Sequence, residues 1–321
     1  MQCTRKHALV TGASTGIGRA TALRLAADGV HAFAAVRRDV DATDLAGADP
    51  SGLVTPVLLD VTSLPQIASA AAAIHEHSGR AGLDVLVNNA GIGVATAVEL
   101  VAPGELRRQL EVNVVGQIAV TQALLPELRR ARGTVVMIGS IGDRITMPFA
   151  GPLVASKRAL AGLTDALRLE LAPWSVRVVL IEPASIRTAA VDKLERDARA
   201  AVERMSVDQR ELYGQAFERM VTRALARERG GSPPSVVAEV ISRAVRSSRP
   251  RARYLVGRDS RRLALLACLP AGVRDRILRK VTGLPRPGSL APLPRTESPP
   301  VLAGISRQKA ASGSGPHGRG R

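Results

Sequence analysis

The chain has 321 residues, of which 45% are hydrophobic and 2% aromatic, so its core must be built mainly from Ala, Val, Leu and Ile. The formal net charge of +17 is unevenly distributed. Residues 1–225 contain 25 Lys and Arg against 23 Asp and Glu, whereas residues 226–321 contain 20 against 5. The first two thirds are therefore predicted to be a near-neutral globular body, and the last third a basic segment.

Composition excludes several classes of protein. Cys3 and Cys268 are too few and too isolated for a disulfide framework or a metal site. No stretch reaches the roughly 18–20 apolar residues of a membrane-spanning helix, and the first ten residues lack a signal-peptide pattern. We therefore expect a cytoplasmic protein without a metal. The basic segment is either a solvated tail or a weak contact for an anionic membrane, and the lack of interleaved aromatic residues argues against specific nucleic-acid binding.

Seven short apolar runs bounded by Gly, Asp or Pro are predicted to be strands. Such continuous runs suit strands that are buried on both faces of a parallel sheet. Helix-length amphipathic stretches separate them, and this β-α-β-α order predicts an α/β fold with a Rossmann-type, doubly wound parallel sheet, in a single domain covering residues 1–257. The predicted strands are residues 7–12, 30–36, 54–60, 83–91, 133–140, 176–183 and 252–257.

Three regions depart from this alternation. Residues 188–230 are predicted to form helices inserted between the sixth and seventh strands, as a lid over the substrate cleft. Residues 258–283 form a basic amphipathic segment. Residues 284–321 are dense in Pro, Gly, Ser and Arg, a composition that buries too little apolar surface to order itself, so we expect a disordered tail there.

A glycine-rich turn, TGASTGIG at residues 11–18, follows the first strand and precedes a helix. Gly12, Gly16 and Gly18 permit a tight turn, close approach to a pyrophosphate, and packing of helix on strand. The helix N-terminus would direct amide donors and the positive end of the helix dipole at the phosphates. The strand-turn-helix context indicates a dinucleotide site rather than a plain glycine-rich turn.

The second strand ends in two arginines. An NAD(H) site usually has an acidic residue there, to accept a hydrogen bond from the ribose 2′-hydroxyl, whereas Arg37 and Arg38 suit a 2′-phosphate. NADP(H) is therefore favoured. Asp39 follows directly, and NAD(H) stays open as the alternative. Asp60, which ends the third strand, is placed to meet the adenine amino group.

Five motifs in order resemble those of the short-chain dehydrogenase/reductase family over roughly residues 5–257. They are TGASTGIG, NNAG at 88–91, Asn113 in EVNVVG, Ser140 in MIGSIG, and ASK at 155–157. The sequence around the last two is similar to that of members acting on steroids, retinoids and other lipophilic alcohols or ketones. The resemblance also implies a homo-oligomer. The cofactor-binding residues that it implies are Gly12, Ser14, Thr15, Gly16, Ile17, Gly18, Arg37, Asp60, Val61, Asn88, Ala90, Gly91, Lys157, Pro183, Ile186 and Thr188.

The resemblance implies catalytic roles for Asn113, Ser140 and Lys157. In the family, a Tyr exchanges a proton with the substrate oxygen, and a Lys one helical turn later holds the ribose and lowers the Tyr pKa. A Ser polarises the substrate oxygen, and an Asn anchors a water relay to the Lys. Here the Tyr position holds Leu153, which can neither donate nor accept a proton. A second departure is Ala184, a position at which the family usually has Gly.

Two functions therefore stand side by side. The first is an NAD(P)-dependent oxidoreductase for a lipophilic alcohol or ketone, impaired by the missing general acid and served weakly by water, by Ser140 or by Tyr213 of the inserted helices. The second is an NADP(H)-binding protein that has lost the chemistry and acts as a sensor or an assembly partner.

Overall fold

The computed structural model describes residues 5–289. One sheet contains seven strands in the order β3-β2-β1-β4-β5-β6-β7, and all neighbouring strands are parallel. This confirms the predicted doubly wound sheet. The strands are β1 His7–Val10, β2 His31–Val36, β3 Val54–Leu58, β4 Val85–Asn88, β5 Thr134–Ile138, β6 Arg177–Pro183 and β7 Arg253–Val256.

Helices connect consecutive strands and cover both faces of the sheet. They are α1 Gly16–Ala27, α2 Asp39–Gly47, α3 Leu64–Ser78, α4 Pro103–Leu110, α5 Gly116–Ala131, α6 Gly151–Leu171, α7 Ala190–Glu203, α8 Val207–Gln209, α9 Gln215–Arg229, α10 Pro234–Arg246, α11 Ser260–Ala267 and α12 Ala271–Thr282. Among residues 5–289, no helix combines the length and the apolar character needed to cross a bilayer.

The strands carry apolar side chains on both faces because each face packs against helices. Every residue of β1, β2, β4 and β5 is buried. One core layer joins the sheet to α1 and α10, and the other joins it to α3, α5 and α6. Burial on both sides explains why these strands read as unbroken apolar runs rather than as alternating ones.

The segment between β6 and β7 contains more than a crossover helix. Residues 188–230 fold as α7, α8, a π-helical turn Arg210–Gly214 and α9. Phe217, Met220 and Leu225 of α9 form an apolar cluster with Val191 of α7 and with Phe149, which precedes α6. The inserted helices therefore lie against the carboxyl end of the sheet.

Beyond β7, α11 and α12 occupy the segment predicted to be basic and amphipathic. Residues 290–321, most of the predicted disordered tail, lie outside the described residues. Of the tail's first residues, Leu284 packs against the cluster formed by the inserted helices.

Candidate active site

The glycine-rich turn adopts the backbone that the sequence requires. Gly12 and Gly16 have positive φ angles of 63° and 57°, which L residues rarely adopt. A Cβ on Gly18 would stand 2.2 Å from the Gly12 carbonyl oxygen. Thr15 precedes α1 and makes no side-chain hydrogen bond to its first turn. The first amides of α1 are therefore left to a ligand, as a phosphate-binding helix N-terminus needs.

The NNAG stretch after β4 holds this turn in place. Asn89 Nδ2 donates to the carbonyl oxygens of Thr11 and Gly12 at 2.9 and 3.0 Å. The Thr11 hydroxyl accepts from the main-chain nitrogens of Asn89 and Ala90. Sequence reasoning missed Asn89. Its neighbour Asn88 is fully buried, and its side chain donates to Thr121 and Met137.

Other residues predicted to bind the cofactor surround the same turn. A Cβ on Gly16 would stand 3.2 Å from the Thr188 side chain, which places Thr188 beside the phosphate turn. Pro183 ends β6, and Ile186 is buried just beyond it. Ser14 and Ile17 are half-buried in the turn, Val61 is buried after β3, and Gly91 would bring a Cβ to 3.3 Å from Asn113 Oδ1.

Ala184 departs from the family pattern without disturbing the fold. Its side chain is buried in a cluster with Ile141, Ile145 and Leu278. The additional methyl group is therefore accommodated by packing.

An open cavity of about 340 Å³ lies beyond the carboxyl ends of β2 and β3. Arg37, Asp60, Arg107 and Arg108 line it. Asp60 Oδ1 accepts from the main-chain nitrogen and hydroxyl of Thr62 at 2.9 and 2.7 Å. The main-chain hydrogen bond from Thr62 is the chief cause of the lowered pKa of Asp60, which therefore stays ionised.

The two arginines after β2 differ in their partners. Arg38 makes two hydrogen bonds to Asp41, its neighbour three residues later, and does not line the cavity. Arg37 does line it. Arg107 and Arg108, which also line the cavity, lie in the last turn of α4. The sequence analysis missed both because only the tertiary fold brings α4 next to Arg37. The cavity therefore brings together three arginines, Asp60 and Glu111.

Lys157 lies inside the site with its charge desolvated. It is buried on α6, and its Nζ donates to the Ile138 carbonyl oxygen at 2.7 Å. Burial lowers the pKa of Lys157 to about 8, and the nearby Asp143 carboxylate opposes this shift. Ile138 ends β5 two residues before Ser140, so Lys157 and Ser140 lie at the same strand end.

Ser140 and Asn113 are both held by hydrogen bonds. Ser140 Oγ accepts from the Gly142 amide at 3.0 Å, which leaves the hydroxyl proton to donate to a ligand. Asn113 lies in a π-helical turn, Glu111–Val115, and is fully buried. Its Oδ1 accepts from the Ile92 main-chain nitrogen, and its Nδ2 donates to the Ile92 carbonyl oxygen and, at 3.0 Å, to Ser156 Oγ. Asn113 is thus a positioning residue that ties α5, α6 and the β4 loop together.

Leu153 faces the cleft one helical turn before Lys157. It is half-buried, and a Cβ on Gly93 would stand 3.8 Å from Leu153 Cδ2. Gly93 belongs to the loop that follows NNAG. An apolar side chain therefore lies one helical turn before Lys157.

Tyr213 is engaged elsewhere. Its hydroxyl donates to Glu99, and this hydrogen bond is the main cause of its raised pKa. The ring packs edge-on against Phe149, with centroids 6.3 Å apart. The inserted helices thus reach the rim of the cleft, but the Tyr213 proton is committed to a carboxylate.

A buried charge network supports the Ser140 loop from behind. Arg144 makes a two-pronged pair with the fully buried Glu182, at 2.6 and 2.8 Å. Arg253 bonds Asp143 at 3.0 Å and Glu182 at 3.3 Å. Burial, followed by the Glu182 charge, raises the pKa of Asp143 to about 7. Asp143 is therefore partly protonated at neutral pH.

Comparisons with known proteins agree with this arrangement. The model of the short chain dehydrogenase family matches residues 6–199. The chain is 34% identical over 281 residues to an NADPH-dependent 3-dehydrocapnine reductase from Ornithobacterium rhinotracheale, covering 86% of this chain and 95% of that one. It is also 34% identical over 287 residues to retinol dehydrogenase 16 from Homo sapiens, covering 87% and 90%. A crystal structure of an actinorhodin polyketide ketoreductase variant with NADPH is similar, with a TM-score of 0.65, 30% identity and coverage of 78% and 94%.

The chain belongs to the short-chain dehydrogenase/reductase family of NAD(P)-binding oxidoreductases. Its glycine-rich turn, uncapped α1 N-terminus and cation-lined cavity fit a dinucleotide.

Proposed function

We propose that this protein is an NADP(H)-dependent oxidoreductase for a lipophilic alcohol or ketone, with turnover limited by Leu153. The observation that carries the proposal is the arrangement of α6 and the β5 loop. Lys157 and Ser140 occupy one strand end, while the side chain one turn before Lys157 is apolar.

NADP(H), rather than NAD(H), is supported by the charges at the adenosine end. Arg37, Arg107 and Arg108 line one cavity with Asp60. A 2′-phosphate is dianionic or nearly so and favours guanidinium donors. The relative from Ornithobacterium rhinotracheale is named as NADPH-dependent, which supports the same cofactor here.

The residues of the site divide the work of binding the cofactor and orienting the substrate. The nicotinamide, when bound, supplies or accepts the hydride. The glycine-rich turn and the α1 N-terminus hold the phosphates, and buried Lys157 presents its ammonium group at the carboxyl edge of the sheet. Ser140 donates a hydrogen bond to the substrate oxygen. No side chain at position 153 delivers the proton, a step worth roughly 10² to 10⁴ in rate, so water or Ser140 must supply it slowly.

The names of two relatives support a lipophilic substrate. Related chains are named for 3-dehydrocapnine and for retinol. We take the substrate class, but not the substrate, from these names.

The second candidate is an NADP(H)-binding protein without turnover, acting as a sensor or an assembly partner. Leu153 favours it because the cofactor site is complete while the proton donor is absent. The discriminating experiment combines NADPH titration with single-turnover reduction of lipophilic ketones. Tight binding with no reduction, even by a Leu153→Tyr variant, would favour the second candidate. Measurable reduction that rises in that variant favours the first.

A homo-oligomer is proposed as well, through the outer faces of α5 and α6. Trp174 is half exposed there beneath the Arg129 guanidinium, which lies 4.5 Å from the ring centroid. Ile118, Leu125 and Leu167 line the same shallow groove. A second copy would cover this apolar surface, and Trp174→Glu would then shift the mass measured by light scattering towards the monomer. We also place the protein in the cytoplasm.

A further inference from the structure

Helices α11 and α12 follow each other through a short connection, residues 268–270, and we call the two helices together the hairpin; apolar residues cover it on one side only. The inner face, with Leu263, Leu266 and Leu278, packs on Ile141 and Ile145 of the Ser140 loop. The outer side exposes three apolar residues around the turn between the helices. Leu265, Leu269 and Val273 are 71%, 38% and 44% exposed. We call these three residues the hairpin tip.

Cationic side chains flank the hairpin tip. Arg261 and Arg262 are exposed on α11, and Arg276 and Lys280 on α12. Residues 258–289 contain eight basic residues and two acidic ones. The Arg262 side chain is 88% exposed, and its paired carboxylate, Asp259, is 3.8 Å away, so this pair contributes little. An apolar tip ringed by exposed cations is the pattern of an element that lies in a lipid interface.

The hairpin also contacts the elements that surround the substrate cleft. Arg223 of α9 donates to the carbonyl oxygens of Lys280 and Val281. Leu284, just after α12, packs into the cluster under the inserted helices. The hairpin tip thus lies on a body that includes both the Ser140 loop and the lid.

We propose that the hairpin tip inserts into the headgroup region of an anionic lipid bilayer, with the arginines and Lys280 on the lipid phosphates. A charged rim fits an anionic surface better than it fits the same hairpin of a second copy, which would bring like charges together. The contact would place the lid and cleft beside the bilayer. Lipid binding itself does not depend on the proposed function. Only its benefit does, which is the supply of a lipophilic substrate from the membrane.

The test is vesicle co-sedimentation of the full chain at moderate salt. Phosphatidylcholine vesicles with phosphatidylserine should bind the wild type, and vesicles of phosphatidylcholine alone should bind it much less. Leu265→Glu combined with Val273→Glu should weaken binding to the anionic vesicles roughly tenfold or more, because apolar insertion is lost and negative charge is added.

A matched control carries the same change of charge at the far edge of the sheet. Val40→Glu combined with Leu64→Glu alters residues that are 65% and 70% exposed on α2 and α3, beside β2 and β3 rather than β7. This control should retain most of the binding. Equal binding by wild type and hairpin-tip variant, or equal losses in both variants, would overturn the proposal.

Self-association is the other outcome to be measured. Sedimentation velocity without vesicles should show the same assembly state for the wild type and the hairpin-tip variant. If the variant alone dissociates, the occupant of this surface is a second copy and the lipid proposal is wrong. Vesicle binding needs neither cofactor nor turnover, so failure of the proposed enzyme function leaves this test intact.

Discussion

Gly18 lies so close to Gly12 that a Cβ on Gly18 would stand 2.2 Å from the Gly12 carbonyl oxygen. This contact packs α1 against the phosphate turn. Gly18→Ala must displace main-chain atoms, so we expect a loss of roughly 1–3 kcal/mol in the free energy of unfolding and weaker NADPH binding. Urea denaturation and cofactor titration measure the two effects.

Gly162 provides the matched control. It lies within α6, and a Cβ there would meet nothing within 4 Å. Gly162→Ala should raise the free energy of unfolding by about 0.5–1 kcal/mol, as expected for a helix interior. A Gly18→Ala protein as stable as wild type, with unchanged NADPH affinity, would contradict the assignment of the turn.

Arg37 and Arg38 should contribute unequally to cofactor choice. Arg37→Gln removes a cation from the cavity wall and should reduce the preference for NADPH over NADH by about tenfold or more, since charge-assisted hydrogen bonds contribute roughly 1.5–3 kcal/mol. Arg38→Gln should change the preference little because Arg38 is paired with Asp41. Isothermal titration of both cofactors against both variants is the measurement. Equal affinities in the wild type, or a larger effect of Arg38→Gln, would refute this account.

Much of the fold and of the glycine-rich turn can be predicted from the sequence. Strands buried on both faces must be continuously apolar, and Gly12 and Gly16 must be glycine because their φ angles are positive. The position of Lys157 four residues after Leu153 also follows from helix periodicity.

What the sequence does not reveal depends on tertiary proximity. Arg108 joins Arg37 only because α4 folds back over the cavity. The hydrogen bond from the Asn88 side chain to Thr121 joins residues 33 positions apart and has no local signal either. The pairing of Arg38 with Asp41 does have a local signal, because a cation and a carboxylate lie three residues apart at the start of a helix. This signal is enough to distinguish Arg37 from Arg38 as the cofactor-binding arginine.

The network behind Ser140 should be costly to break. Arg253→Met leaves Asp143 and Glu182, whose side chains are 4% and 0% exposed, with Arg144 as the remaining ion-pair partner and Lys157 nearby. We expect a loss of roughly 3 kcal/mol or more in the free energy of unfolding. Lys193→Met is the control, because Lys193 pairs with the exposed Asp197 on α7 and its loss should cost less than about 1 kcal/mol. Similar losses in the two variants, by urea denaturation, would show that the network is not stabilising.

Acid should destabilise the protein through His31. Burial, and then the neighbouring His77 and His7, lower the pKa of His31 to about 4 from its ordinary 6.5. Since the folded state holds this proton less tightly than the unfolded chain, the contribution of His31 is complete above about pH 6.5 and is lost as the pH falls towards 4.

The variant His31→Phe tests this dependence. The His31 ring already packs 4.8 Å from the Phe33 ring, so Phe should fit with the loss of one hydrogen bond to Thr55. Melting temperatures between pH 6.5 and 4 should fall less steeply in this variant than in wild type. Parallel curves would assign the acid sensitivity to other groups.

We propose that Leu153 limits the rate of reduction because it supplies no proton, while Lys157 and Ser140 are in place. The most direct measurement is the single-turnover rate of NADPH-dependent reduction of a lipophilic ketone by wild type, Leu153→Tyr and Leu153→Phe. Tyr returns a hydroxyl one helical turn from Lys157, and Phe fills the same space without one. We expect Leu153→Tyr to raise the rate by roughly 10² or more, and Leu153→Phe to leave it near the wild-type value. If neither substitution changes the rate, Leu153 does not limit the reaction.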